Sequence, residues 1–105
     1  MAIDSSYVMT YANMGSNYIK LKEFGKAIDI MKLELNFLGN NYTYADSVLL
    51  LNLAVASNKK GDFENGLLNA NEVLNISENS EILDYAQKTK IESMENLGMT
   101  INESS

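Results

Sequence analysis

The sequence contains no cysteine, histidine, tryptophan or proline. The absence of cysteine and of histidine excludes particular kinds of chemistry. Without cysteine there is no disulfide framework, no thiolate nucleophile and no zinc–sulfur site. Without histidine, the usual general base and the commonest transition-metal ligand are missing. We therefore predict that the protein is not an enzyme and that it uses no cofactor and no metal.

Positive charge is also scarce. All eight Lys+Arg residues are lysine, and the fourteen Asp+Glu residues give a net charge of −6. Without arginine, bidentate recognition of phosphate or guanine is not available. A net negative chain is also a poor partner for nucleic acid or for an anionic membrane surface. We therefore expect no nucleic-acid partner.

Long apolar runs are absent as well. The most apolar stretch, Val48 to Ala56, is interrupted by Asn52 and is far shorter than the ~20 residues that span a bilayer. Residues 1–6 lack the basic segment of a signal peptide. These features predict no membrane insertion and a cytoplasmic location.

The pattern that is present is helical. Apolar residues recur at three- and four-residue spacing, and no segment alternates with a period of two. Gly39 and Gly61 are expected to end helices, and Asp62 to cap one. The second and third predicted helices are apolar on more than one side, so we expect both to pack between neighbours. The five predicted helices are Ser5–Lys22, Glu23–Leu38, Tyr44–Lys60, Phe63–Ile76 and Glu81–Leu97.

An internal repeat appears when the sequence is displaced by 39 residues. Small residues then match small residues, which predicts that paired helices approach each other closely. An aromatic residue follows each predicted turn. The matching pairs are Gly15/Ala54, Phe24/Phe63, Ala27/Gly66, Asn13/Asn52 and Lys20/Lys59.

The residues of this repeat resemble the tetratricopeptide repeat (TPR) family over residues 8–76. The first unit reads Tyr11…Met14-Gly15…Tyr18…Lys22-Glu23-Phe24…Ala27, and the second reads Leu50…Leu53-Ala54…Gly61-Asp62-Phe63…Gly66. The resemblance implies an all-α fold, an α-α superhelix (TPR-like solenoid) of two helix-turn-helix repeats and a C-terminal capping helix. We expect a single domain over residues 1–105, with repeats at about 7–40 and 44–77 and the capping helix at about 80–98. The 39-residue offset exceeds the family's usual period of 34.

The resemblance also implies a binding surface. In this family the first helix of each pair lines a concave groove, and an asparagine at the positions of Asn13 and Asn52 often hydrogen-bonds the ligand backbone. Asn13 and Lys20 are two helical turns apart, so their side chains point the same way, and the lysines suit a carboxylate. The expected partner-binding residues are Asn13, Asn52, Lys20, Lys59, Met9, Ser16, Val48, Leu51 and Val55.

The function that these features indicate is binding of a protein or peptide partner, as an adaptor or scaffold. Two repeats are fewer than the three that such architectures usually need for stability. Two alternatives therefore stay open: a structural segment of a longer repeat protein, or a self-associating subunit that forms a homo-oligomer. A peptide-sensing regulator is a further alternative, although no basic DNA-binding patch is visible.

Overall fold

The computed structural model describes residues 5–35 and 44–99, with side chains for residues 9–33 and 44–99. These ranges form five helices and contain no strand, which confirms the all-α class for this part of the chain. The helices are α1 (Ser5–Lys20), α2 (Phe24–Leu35), α3 (Tyr44–Lys60), α4 (Phe63–Ile76) and α5 (Ser80–Asn96). The predicted bounds of α3 and α4 are confirmed, and α5 begins one residue before its predicted start. Gly39 and the last three residues predicted for the second helix lie outside the described ranges.

The turn between α1 and α2 has the same geometry as the turn between α3 and α4. Lys22 in the first turn has a φ of 62° and Gly61 in the second a φ of 93°, so both are left-handed. The same two backbone hydrogen bonds close each turn, 39 residues apart. They are Lys22 N to Ile19 O (3.0 Å) and Glu23 N to Tyr18 O (2.8 Å), then Gly61 N to Asn58 O (3.0 Å) and Asp62 N to Ser57 O (2.8 Å). The sequence repeat is therefore also a repeat of backbone structure.

Helix α5 ends in the same way as α1 and α3. Gly98 has a φ of 74°. Its N–H donates to Glu95 O at 3.2 Å, and the N–H of Met99 donates to Met94 O at 2.9 Å. This pattern, a left-handed residue just after a helix, satisfies carbonyl groups that the helix itself leaves without partners. By its C-terminal turn, α5 corresponds to the first helix of a pair.

Side-chain caps fix the start of two helices. Asp62 precedes α4, and its carboxylate accepts hydrogen bonds from Asn65 N at 3.4 Å and Asn65 Nδ2 at 2.6 Å. The hydrogen bond from the Asn65 side chain lowers the pKa of Asp62. Asn79 precedes α5, and its Oδ1 accepts from Ile82 N at 3.0 Å. These hydrogen bonds confirm the predicted role of Asp62 as a helix cap. An acidic cap also suits the positive end of a helix.

Helix α3 is the centre of the fold. It packs against all four other helices, whereas within the described residues α1 and α2 make no packing contact with α4 or α5. Most of α3 is buried, so its predicted enclosure is confirmed. One cluster of apolar side chains joins it to α1 and α2, and a second joins it to α4 and α5. The first contains Ala12, Ala27, Ile28, Met31, Ala45, Leu49, Leu53 and Ala56, and the second contains Leu50, Leu51, Val73, Ile82 and Ala86.

Helix α2 packs against two described helices, α1 and α3, and leaves Leu33 uncovered. Ala27, Ile28 and Met31 are buried towards α1 and α3, but the side chain of Leu33 is 56% exposed. The prediction that this helix packs between neighbours is confirmed by its contacts with α1 and α3. In its second apolar stripe, Ile30 packs against the first cluster and Leu33 is exposed, whereas Phe37 lies outside the described residues.

The small residues of the repeat do permit close approach. A Cβ atom at Gly15 would lie 2.7 Å from Met31 Cγ, which is closer than real Cβ contacts. Gly15 therefore allows α2 to place Met31 directly against α1, as the sequence predicts.

None of the helices in the described ranges is both long enough and apolar enough to cross a bilayer.

Candidate partner-binding face

Eight of the nine predicted residues fall on one side of α1 and the matching side of α3. Their spacing in each helix is four, three and four residues, which places them on a single helical face. We name this set the predicted binding face. It consists of Met9, Asn13, Ser16 and Lys20 on α1, and Val48, Asn52, Val55 and Lys59 on α3.

This face combines a partly apolar strip with a positively charged end. Met9, Val48 and Val55 are half-buried, so each leaves apolar surface open to solvent. Lys20 and Lys59 are exposed in the last turns of their helices. None of the eight residues is acidic, although the whole chain has a net charge of −6. The face is therefore locally positive on an acidic protein.

The two asparagines of the face have different environments. Asn13 is exposed, whereas Asn52 is half-buried and its Nδ2 donates to the backbone oxygen of Ala12 at 3.1 Å. This hydrogen bond links α3 to α1. The repeat places both amides at equivalent positions. Because α3 packs on α1, the amide of Asn52 is used in a hydrogen bond between these two helices, whereas Asn13 stays exposed.

Leu51, the ninth predicted residue, belongs to the core. It is 9% exposed and packs in the second cluster with Ile82 and Ala86 of α5. Leu51 lies one position before Asn52, which turns its side chain about 100° around the helix, towards the side that α5 covers. It does not contribute an open surface with the other eight.

A buried polar cluster holds α5 against α3. Asn58 Nδ2 donates to Thr89 O and to Glu92 Oε1, both at 3.1 Å, and Ser93 Oγ donates to Asn58 Oδ1 at 2.7 Å. Asn58 is 5% exposed and Ser93 is fully buried. We name Asn58, Thr89, Glu92 and Ser93 the Asn58 cluster. It fixes the position of α5, since a buried amide requires hydrogen-bond partners in one arrangement.

The Asn58 cluster is not predicted by the helical spacing or by the repeat. Its one sequence signal is Gly66, the small residue of the second repeat on α4. A Cβ atom at Gly66 would lie 2.8 Å from Asn58 Cγ and 3.0 Å from Ser93 Oγ. The space that glycine leaves is the space that the Asn58 side chain fills.

In comparisons with known proteins, no family model matches the chain, and no curated protein and no solved structure matches it either.

Proposed function

We propose that the chain is a TPR-like helical array, two repeats closed by α5, that binds a protein or peptide segment along the predicted binding face. The observation that supports this proposal is the common turn geometry at Lys22 and Gly61. Because the turns repeat at the same offset as the sequence, the lysines and the apolar residues of α1 occupy positions matching those of α3. Such a regular surface suits an adaptor or scaffold that takes an extended segment.

The chemistry of the face defines the segment that would fit. Met9, Val48 and Val55 offer apolar contact, and a methionine adapts its shape to different partners. Lys20 and Lys59 suit an acidic side chain or a C-terminal carboxylate at one end of the segment. The exposed amide of Asn13 can donate to and accept from one peptide unit.

The affinity is expected to be moderate and to depend on salt. Lysine is a point charge without the planar donor pair of arginine, and the chain has no arginine. Both lysines are exposed, so their attraction to a carboxylate is screened by ions. In this proposal the protein binds and does not catalyse, and the cytoplasm is the proposed location; both expectations rest on the sequence.

Reversing the charge at Lys20 and Lys59 tests the proposal. Random peptides on a display library would be selected against the wild-type chain, and the selected peptides synthesised and titrated by fluorescence anisotropy. The variant K20E/K59E should lose about tenfold in affinity, because two exposed ion pairs of up to ~1 kcal/mol each become repulsions. The matched control is K32E/K88E, which gives the same net charge by changing two exposed lysines on α2 and α5.

The proposal predicts that the selected peptides are enriched in acidic residues. It also predicts that their binding is weakened by K20E/K59E and not by K32E/K88E. Equal loss in both double variants would show that net charge alone drives binding. Selection of no peptide, or unchanged binding to K20E/K59E, would also contradict the proposal. A segment of a longer repeat protein would use the same face for its partner.

A further inference from the structure

Among the residues that the structure describes, no helix packs on one side of α1, whereas most of the equivalent side of α3 and part of that of α5 are covered. On α1 this side carries Met14, Asn17, Tyr18 and Leu21, which line an open depression of about 200 Å³. We name these four residues the α1 outer face. Met14 is 36% exposed and Leu21 is 66% exposed.

The internal repeat shows what covers this side elsewhere in the molecule. The residues of α3 that match Met14, Asn17 and Tyr18 are buried, and the match of Leu21, Lys60, is exposed. The three buried residues are Leu53, Ala56 and Ser57, of which Leu53 and Ala56 pack against α1 and α2. When α5 is aligned with α3 on Gly98 and Gly61, Ser93 takes the place of Ala56 and is fully buried. In both helices, therefore, other helices of the same chain pack on this side.

Charge indicates which partner the α1 outer face accepts. Helix α1 carries a single charged residue, Lys20, in a chain whose net charge is −6. Two copies of an acidic chain repel each other over most of their surface. Helix α1 itself contributes no acidic side chain to a contact, so a second copy packed on it meets less repulsion there than on the acidic helices.

The free side of α5 does not suit the α1 outer face. It carries Asp84, Lys88 and Glu95, all exposed. Burying these charges against Met14 and Leu21 would remove their hydration without giving them partners. A head-to-tail arrangement of copies, with α1 on α5, is therefore disfavoured.

We infer that the α1 outer face is a homodimer contact, in which α1 of one copy packs on α1 of a second copy about a two-fold axis. A two-fold contact uses the same patch on both copies. Asn17 lies between Met14 and Leu21 on this face, so its amide can donate to and accept from the same amide of the other copy. One pair of helices buries less area than a typical stable interface, and the expected dissociation constant is micromolar, about 1–100 µM.

This inference does not depend on the peptide-binding proposal. Met9, Ser16 and Lys20 lie on a different side of α1 from Met14 and Leu21, by roughly 130° around the helix axis. Loss of one interaction would leave the other measurable.

Analytical ultracentrifugation of charge variants tests the dimer. The wild type should dimerise as concentration rises, and M14E and L21E should each weaken the dimer by at least about tenfold, because two carboxylates meet near the axis. The control is L68E, which places the same charge on an equally exposed leucine of α4. Circular dichroism of each variant verifies folding, and Leu21 is exposed enough that its replacement leaves the core intact.

Disulfide trapping tests the two-fold geometry, because the natural chain has no cysteine. N17C should form a cross-linked dimer under mild oxidation, whereas L68C should not. A wild type that stays monomeric at ~1 mM, or a dimer that M14E and L21E leave unchanged, would overturn the inference. So would a mixture of N17C with K88C that cross-links between the two variants more readily than N17C with itself, since Lys88 lies on the free side of α5 and that outcome shows a head-to-tail contact.

Discussion

At Gly66, the absence of a single methyl group determines how three helices meet. The Asn58 side chain from α3 and Ser93 from α5 occupy the space where a Cβ atom would stand. Asn58 in turn holds the backbone oxygen of Thr89. A glycine in a helix interior costs stability through its flexibility, and here that cost permits a buried hydrogen-bond cluster.

Gly66→Ala should therefore destabilise the protein by about 1–3 kcal/mol, because the added methyl group overlaps Asn58 in a close-packed site. The matched control is Gly25→Ala on α2, where the nearest group is Lys60 Nζ at 3.9 Å. There the change should be neutral or stabilise by up to ~1 kcal/mol. Urea unfolding followed by circular dichroism measures both. Equal effects at the two glycines would show that the Asn58 cluster adapts without cost.

Single positions also show where sequence reasoning reaches its limit. The repeat correctly gave the spacing of Asn13 and Asn52, but it could not show that Asn52 bonds Ala12 O. It likewise could not show that α5 covers Leu51. Spacing along one helix fixes which residues share a side. Which sides are covered depends on the packing of other helices, and that is not encoded locally.

Among the elements, helix bounds were predictable where a turn has its own local chemistry. Gly61 and Asp62 end α3 and begin α4, and both bounds match the prediction. At the end of α1, the left-handed residue is Lys22, and a lysine does not mark a helix end as glycine does. The predicted first helix was therefore two residues too long. The exposure of Leu33 was not predictable either, because an apolar stripe does not show whether a neighbour exists.

The cap of α4 should make stability depend on pH in the acid range. In the folded protein the pKa of Asp62 is lowered from its ordinary value of 3.8 by the hydrogen bond from Asn65. The stabilisation is therefore complete above the ordinary pKa, and it is lost as the pH falls through the lowered pKa of the folded state. Asp62→Ala should cost about 0.5–2 kcal/mol at neutral pH.

Denaturant unfolding at neutral pH and at about pH 2 checks this prediction. The difference in unfolding free energy between wild type and Asp62→Ala should shrink at the lower pH. Asp62→Asn serves as the control, because an amide caps a helix about as well as a carboxylate but does not titrate. A difference that stays constant with pH would show that the charge of Asp62 has no part in the cap.

For the whole molecule, the central position of α3 means that, among the described residues, the α1–α2 half and the α4–α5 half are connected only by packing on α3. The cluster with α1 and α2 and the cluster with α4 and α5 lie on different sides of α3. In arrays where each unit touches only its neighbours, stability is roughly a sum of local and neighbour contributions. The two halves should therefore open separately, with α3 involved in both.

Two core truncations test this separation. Met31→Ala in α2 and Ile82→Ala in α5 each remove a buried side chain, at a cost of about 2–5 kcal/mol. Hydrogen exchange should show that Met31→Ala lowers protection mainly in α1 and α2, and that Ile82→Ala lowers it mainly in α4 and α5. Helix α3 should lose protection in both variants. Equal loss across all five helices in either variant would instead indicate one cooperative unit.

The turn at Gly98 has a consequence for protein engineering. Gly98 and Met99 make the same two backbone hydrogen bonds as the turns that precede α2 and α4. The direction of the backbone at Met99 therefore suits a following helix. A copy of the α4 sequence fused after this point, with the exposed charges of α5 replaced by apolar residues, would have a ready-made junction. The turn at Gly98 is thus a site at which further helices can be added to build a longer synthetic array.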